Sequence, residues 1–191
     1  MRYLTVLLLA LSFAASLPAV PITFTHIGVG SGNLGDNFFE SALFTIVATG
    51  DTSQRTSIPG GFSIPHLSAA IFIEGFGPLT FVSPTRTYVN NTFGAVGFSR
   101  GPNSTDLFNG PTGTPFDTWD MLTSIGPIGG SGFTLQWELE DVVVDAGVLY
   151  FSEGESTAVF QAVTGVPEPG TFGLAMAALG LVWVGVRRRR P

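Results

Sequence analysis

The sequence predicts an all-β body, an antiparallel β-sandwich or jelly-roll-like single domain, and two observations carry the prediction. Phe, Val, Ile, Thr and Gly dominate residues 20–165, whereas Lys is absent and Met, Gln, Glu and Arg are scarce. Apolar and polar residues alternate over short runs bounded by Gly, Pro, Asn and Asp, and no long run carries the period of an amphipathic helix. A closed barrel is the nearest competing architecture. No repeat of fixed period supports a propeller or a β-helix.

Taken in order, residues 1–19 have a minimal basic start at Arg2, an apolar stretch over residues 4–11 and small residues after it. Ala14-Ala15-Ser16 fits a small-x-small cleavage rule, with Leu17-Pro18-Ala19 as a second choice, so this end is expected to be a signal peptide. Residues 22–27 form the first predicted strand, with Ile22 and Phe24 on one face and Thr23 and Thr25 on the other. A glycine-rich loop is expected over 28–35, a helical turn over 36–41 and a strand over 42–49. Turn residues at 50–54 and 58–61 lead to a hairpin of 69–74 with 79–83, joined by Gly75-Phe76-Gly77-Pro78. Strands at 87–90 and 95–99 flank the turn Asn91-Thr92-Phe93-Gly94, and residues 100–115 are expected to be a long surface loop. The cleanest alternation is 132–139, where Phe133, Leu135, Trp137 and Leu139 alternate with Thr134, Gln136 and Glu138. Strands at 142–144, 148–152 and 157–163 complete the set.

The body from 20 to 165 has the size of one domain, with thirteen acidic residues against Arg55, Arg86 and Arg100, a net charge of −10. Such a surface repels nucleic acid, and no nucleic-acid partner is expected. The chain has no cysteine, which rules out disulfides, thiol catalysis and thiolate metal sites.

The C-terminal end, residues 166–191, has three parts. Val166-Pro167-Glu168-Pro169-Gly170-Thr171 is a proline-restricted acidic kink, residues 171–186 carry no charge, and Arg187, Arg188, Arg189 and Arg190 follow. Sixteen helical residues span roughly 24 Å against a hydrocarbon core of about 30 Å, so this short transmembrane helix relies on the arginines reaching the head groups. The positive-inside rule puts those arginines in the cytoplasm and the body outside. This order of motif, helix and basic end resembles the PEP-CTERM sorting signal of bacterial exported proteins. Residues 44–52 and 88–91 also look like stretches that recur in uncharacterised proteins carrying that signal. The resemblance implies recognition and removal of the tail by an exosortase in the inner membrane, and delivery to the cell surface or extracellular matrix.

Motifs with chemistry in the body are few. Gly30-Ser31-Gly32-Asn33-Leu34-Gly35 matches G-x-G-x-x-G, but an alternating strand precedes it, Asp36 follows it and no βαβ unit continues it, so a dinucleotide site is not expected. His26 and His66 belong to no metal-binding spacing. Gly129-Gly130-Ser131-Gly132 lacks the final glycine of a nucleophile elbow. Glu138, Glu140, Asp141 and Asp145 read as a solvated acidic edge. Two binding readings remain: Asp106, Asp117 and Asp120 as weak oxygen ligands for calcium, and Trp119 as an exposed platform for a sugar, Trp137 being expected in the core. The resulting expectation is a non-enzymatic surface or matrix protein of structural or interaction type without a required cofactor. The alternative is a carbohydrate-binding module associated with extracellular polysaccharide.

Overall fold

The computed structural model describes residues 20–101 and 105–165. The expected signal peptide (1–19) and sorting tail (166–191) lie outside the described residues. Twelve strands and two 3-10 turns make up the body. They are β1 (Pro21–Leu34), β2 (Asn37–Asp51), a turn at Thr52–Gln54, β3 (Thr56–Ile58), β4 (Gly61–Ile73), β5 (Gly77–Thr80), β6 (Thr85–Asn90), β7 (Ala95–Arg100) and β8 (Thr105–Thr112). A second turn at Thr114–Asp117 precedes β9 (Ile125–Thr134), β10 (Val142–Val144), β11 (Gly147–Phe151) and β12 (Gly154–Thr164).

The antiparallel all-β expectation holds, but the strands do not form two stacked sheets. Eight of them close a ring in the order β1-β2-β4-β6-β7-β8-β9-β12, which is chain order once the short strands are set aside. Closure falls on β1, where Phe24 pairs with Ala48 of β2 on one side and with Ala162 of β12 on the other. First and last strands thus satisfy each other's backbone groups, and the ring has no free edge. Alternation along a strand says which face is buried. It does not say whether that face meets a second sheet or its own curled continuation.

At one end of the ring, β11 pairs with the last residues of β1 and with β10, while Phe81, just after β5, bridges Val144 of β10. These strands enclose part of an aromatic core around Phe39, Phe44, Phe108, Trp137 and Phe151. A second cluster gathers Ile22, Phe24, Ile64, Val89 and Phe160 with Phe116, Trp119 and Met121, which come from the connection between β8 and β9. That connection tucks its apolar residues into the core rather than lying on the surface.

Several local expectations are corrected. Residues 28–34 continue β1 instead of forming a loop, and only Gly35, at a φ of 55°, turns the chain into β2. The glycines make room for aromatic rings: a Cβ at Gly28 would lie 2.6 Å from Phe44 Cζ, and one at Gly30 would lie 2.7 Å from Phe151 Cδ1. The helical turn expected over 36–41 is strand, because it pairs with β1 directly after the turn. Much of the loop expected at 100–115 is β8, paired with β7 despite its polar composition. The strand expected over 132–139 stops at Thr134. Gln136 takes a φ of 52°, its backbone N–H donates to Glu153 Oε1 at 3.0 Å, and its own Oε1 accepts from the Asp106 backbone N–H at 2.9 Å. The chain leaves the ladder there, and Trp137 drops into the core, donating from Nε1 to Leu107 O at 2.7 Å.

Candidate functional site

The ring has an inner and an outer constellation of polar side chains. His26 shares the parity of Ile22 and Phe24 on β1, so it points inward with them. His66 points inward from β4, and Thr85 and Thr87 from β6. Thr87 Oγ1 lies 3.1 Å from His26 Nε2 and 2.9 Å from His66 Nε2, while His66 Nδ1 lies 2.9 Å from Thr85 Oγ1. Two assignments of protons satisfy all three contacts, and only one of them avoids an unpaired buried N–H. His26 Nε2–H donates to Thr87, the Thr87 hydroxyl donates to His66 Nε2, and His66 Nδ1–H donates to Thr85. This leaves His26 Nδ1, buried without a partner, as a bare lone pair and not an orphaned N–H.

Burial among Phe98, Phe108 and Phe160 pushes the His26 imidazole down to about 3. His66 is likewise lowered to about 3, by burial first and by the charge of His26 second. Both rings are therefore neutral near pH 7. Both nitrogens of His66 are already engaged, so neither is offered to a ligand. Parity with Ile22 and Phe24 was the sequence signal that His26 faces the interior; that His66 meets it across the ring could come only from closure.

The outer constellation lies where β6, β7, β8 and β9 meet. Strands β8 and β9 pair over two positions only, Phe108 with Thr134 and Asn109 with Phe133. Beside them the wall is dished into a groove of about 450 Å³. Its floor is shallow because Ala95 and Gly110 line it and Gly97 underlies Tyr88, where an added Cβ would sit 2.5 Å from the phenol ring. Two rims are aromatic: Phe93, 76% exposed in the turn between β6 and β7, and Phe133, 43% exposed on β9.

Between the rims, Asn109 Oδ1 accepts from the Tyr88 hydroxyl. Asn90 Oδ1 accepts from the backbone N–H groups of Thr92 at 3.0 Å and Phe93 at 3.3 Å, which also positions the Phe93 ring. Asp106 Oδ1 accepts from Ser99 Oγ at 2.9 Å. Burial and the neighbouring Asp106 carboxylate raise the Tyr88 phenol above its ordinary value, with Arg86 opposing, so Tyr88 stays a neutral donor.

The predicted site residues fare differently. Trp119 is not a platform: it is 5% exposed, its Nε1 donates to Thr123 O at 2.9 Å and its ring packs edge-on to Phe160. Trp137 is buried as expected. The structure scatters the three calcium candidates. Asp106 faces the groove, Asp117 ends the second 3-10 turn, and Asp120 pairs with Arg55 at 3.5 Å while accepting from the Leu122 backbone N–H. Among the described residues no three His, Asp or Glu side chains converge as metal ligands. Glu140 pairs with Arg100 at 2.6 Å, and Asp145 accepts from the Thr80 backbone N–H at 3.0 Å. The groove residues Asn90, Phe93, Asn109 and Phe133 were not foreseen. One signal was present: an aromatic residue inside the polar turn Asn91-Thr92-Phe93-Gly94 has little chance of burial.

Fold and site together define an antiparallel closed β-barrel with an aromatic-rimmed polar groove on its outer wall. The comparison with protein families adds the destination: residues 165–190 match the PEP-CTERM protein-sorting motif, so the chain contains a PEP-CTERM motif, which implies an exported protein sorted by an exosortase-type enzyme. Neither the curated proteins nor the solved structures contain a match to the chain.

Proposed function

We propose that the barrel is a non-catalytic interaction protein of the cell surface or extracellular matrix, held briefly in the inner membrane by its C-terminal segment and released when that segment is processed. The sorting motif at 165–190 carries this reading. The barrel interior supports it, because the His26–Thr87–His66 chain lies among phenylalanine rings and both ring nitrogens of His66 are already held by threonines. General acid–base work needs a group whose proton is within reach of a substrate. The test is mass spectrometry of the mature protein together with its cellular fraction. The expected product begins between Leu17 and Val20, lacks Arg187 to Arg190 and is found at the surface or in the medium. A stable inner-membrane form that keeps the arginines would overturn the reading. The alternative of a carbohydrate-binding module gains a specific observation, the outer groove, although its residues differ from the Trp119 platform that the sequence suggested.

A further inference from the structure

We propose that the groove beside Tyr88, Asn90, Phe93, Asp106, Asn109 and Phe133 binds an uncharged glycan, with Phe93 and Phe133 contacting sugar rings and the two asparagines and Asp106 contacting vicinal hydroxyls. This rests on the reading of the barrel as an extracellular interaction protein and names the ligand class.

The polar groups carry the choice of ligand. Each asparagine has its oxygen occupied within the protein, Asn109 by Tyr88 and Asn90 by the turn backbone. What each has left is its NH₂, two donors with no protein acceptor among the described residues. Asp106 is engaged by the Ser99 hydroxyl and by the Tyr88 phenol, and as a carboxylate with further lone pairs it remains an acceptor only. A hydroxyl both donates and accepts, so neighbouring hydroxyls can take a proton from an amide and give one to a carboxylate. A purely apolar ligand would leave these groups unpaired at a cost of about 1–3 kcal/mol each.

The aromatic rims narrow the class. A pyranose has apolar C–H faces between its hydroxyls, and Phe rings at the two margins suit those faces as they suit no small polar metabolite. The volume of about 450 Å³ lies within the roughly 300–1,000 Å³ of ordinary ligand sites. Charge decides the last point. Asp106 lines the groove and the body carries a net −10, so polyuronates and sulfated polymers are repelled while neutral chains are not.

The experiment uses the full-length protein in detergent and its Phe93→Ala, Phe133→Ala and Trp119→Phe variants. The probes are neutral hexasaccharides of glucose, galactose and mannose, with an oligogalacturonate as the anionic comparison, and binding is read by calorimetry. At least one neutral hexasaccharide should bind at micromolar to millimolar Kd, weakened tenfold or more by Phe93→Ala and by Phe133→Ala and changed less than twofold by Trp119→Phe. Both phenylalanines are exposed, so their removal should leave the circular dichroism spectrum intact. Failure of every neutral probe up to 10 mM (about the 1 mM scale of weak binding, exceeded tenfold), tighter binding of the oligogalacturonate, or binding indifferent to both phenylalanines would overturn the proposal. None of those results touches the cellular location read by mass spectrometry, so the two readings fail separately.

Discussion

Acid should unfold this barrel through its two inward-facing histidines, His26 fully buried and His66 partly so, and the size of the effect follows from their environment. Each imidazole titrates near 6.5 in the unfolded chain and near 3 when buried. Between those values the unfolded state binds more protons than the folded one, so stability rises with pH. The contribution is fully present above about pH 6.5 and is lost as pH falls toward 3. Each unit of pH costs about 1.4 kcal/mol per histidine, or about 2.7 kcal/mol for the pair. At pH 4.5, two units below the unfolded value and still above both folded ones, the loss is about 5 kcal/mol, comparable with the 5–15 kcal/mol that holds a typical domain together.

The assay is urea unfolding followed by tryptophan fluorescence at pH 7.5, 6.5, 5.5 and 4.5. Trp119 and Trp137 both report, because each is buried in a different core cluster. The perturbation that isolates the cause is His66→Gln, which keeps hydrogen-bonding capacity toward Thr85 and Thr87 but does not titrate. Its slope between pH 6 and 4.5 should fall to about half that of the unaltered protein, near 1.4 kcal/mol per pH unit. A parent slope under about 1 kcal/mol per unit, or an unchanged slope in the variant, would refute the reasoning.

Three other outcomes are expected. Gly28→Ala places a methyl group 2.6 Å from Phe44 Cζ and 2.8 Å from Phe108 Cζ, and should cost about 1–3 kcal/mol in urea unfolding, because rings packed between strands have little room to retreat. Trp119→Ala empties the core end beside Phe116 and Phe160 and should cost about 3–5 kcal/mol by the same measurement, whereas removal of a surface platform would cost almost nothing. Replacing Pro167, Glu168 and Pro169 with alanine should leave Arg187 to Arg190 on the chain in cells that process the parent, as read by mass spectrometry.

The parts legible in the sequence were those with short-range physical causes. Strand 85–90, its turn and strand 95–100 were placed within two residues, because alternation and an Asn-Gly-bounded turn act over a few residues. The sorting tail was legible because a linear motif is read as sequence. The failures share another cause. The glycines of β1 read locally as a loop because their partner rings, Phe44 and Phe151, lie on strands distant in sequence. Trp119 reads as a surface residue because its stretch is polar, although Asn91 Nδ2 draws that connection inward by donating to Phe116 O at 2.6 Å and Trp119 O at 3.0 Å.

From the sequence alone came the β class, the single acidic body, the absence of thiol chemistry and the sorting signal, all properties of composition or of neighbouring residues. Tertiary structure decided that the sheet closes on itself, that two histidines 40 residues apart share one threonine, and that Tyr88, Asn109 and Phe133 meet across three strands. The physical reason is closure. Backbone hydrogen bonding of β12 to β1 satisfies an edge that no local pattern records, and every contact across the ring follows from that pairing.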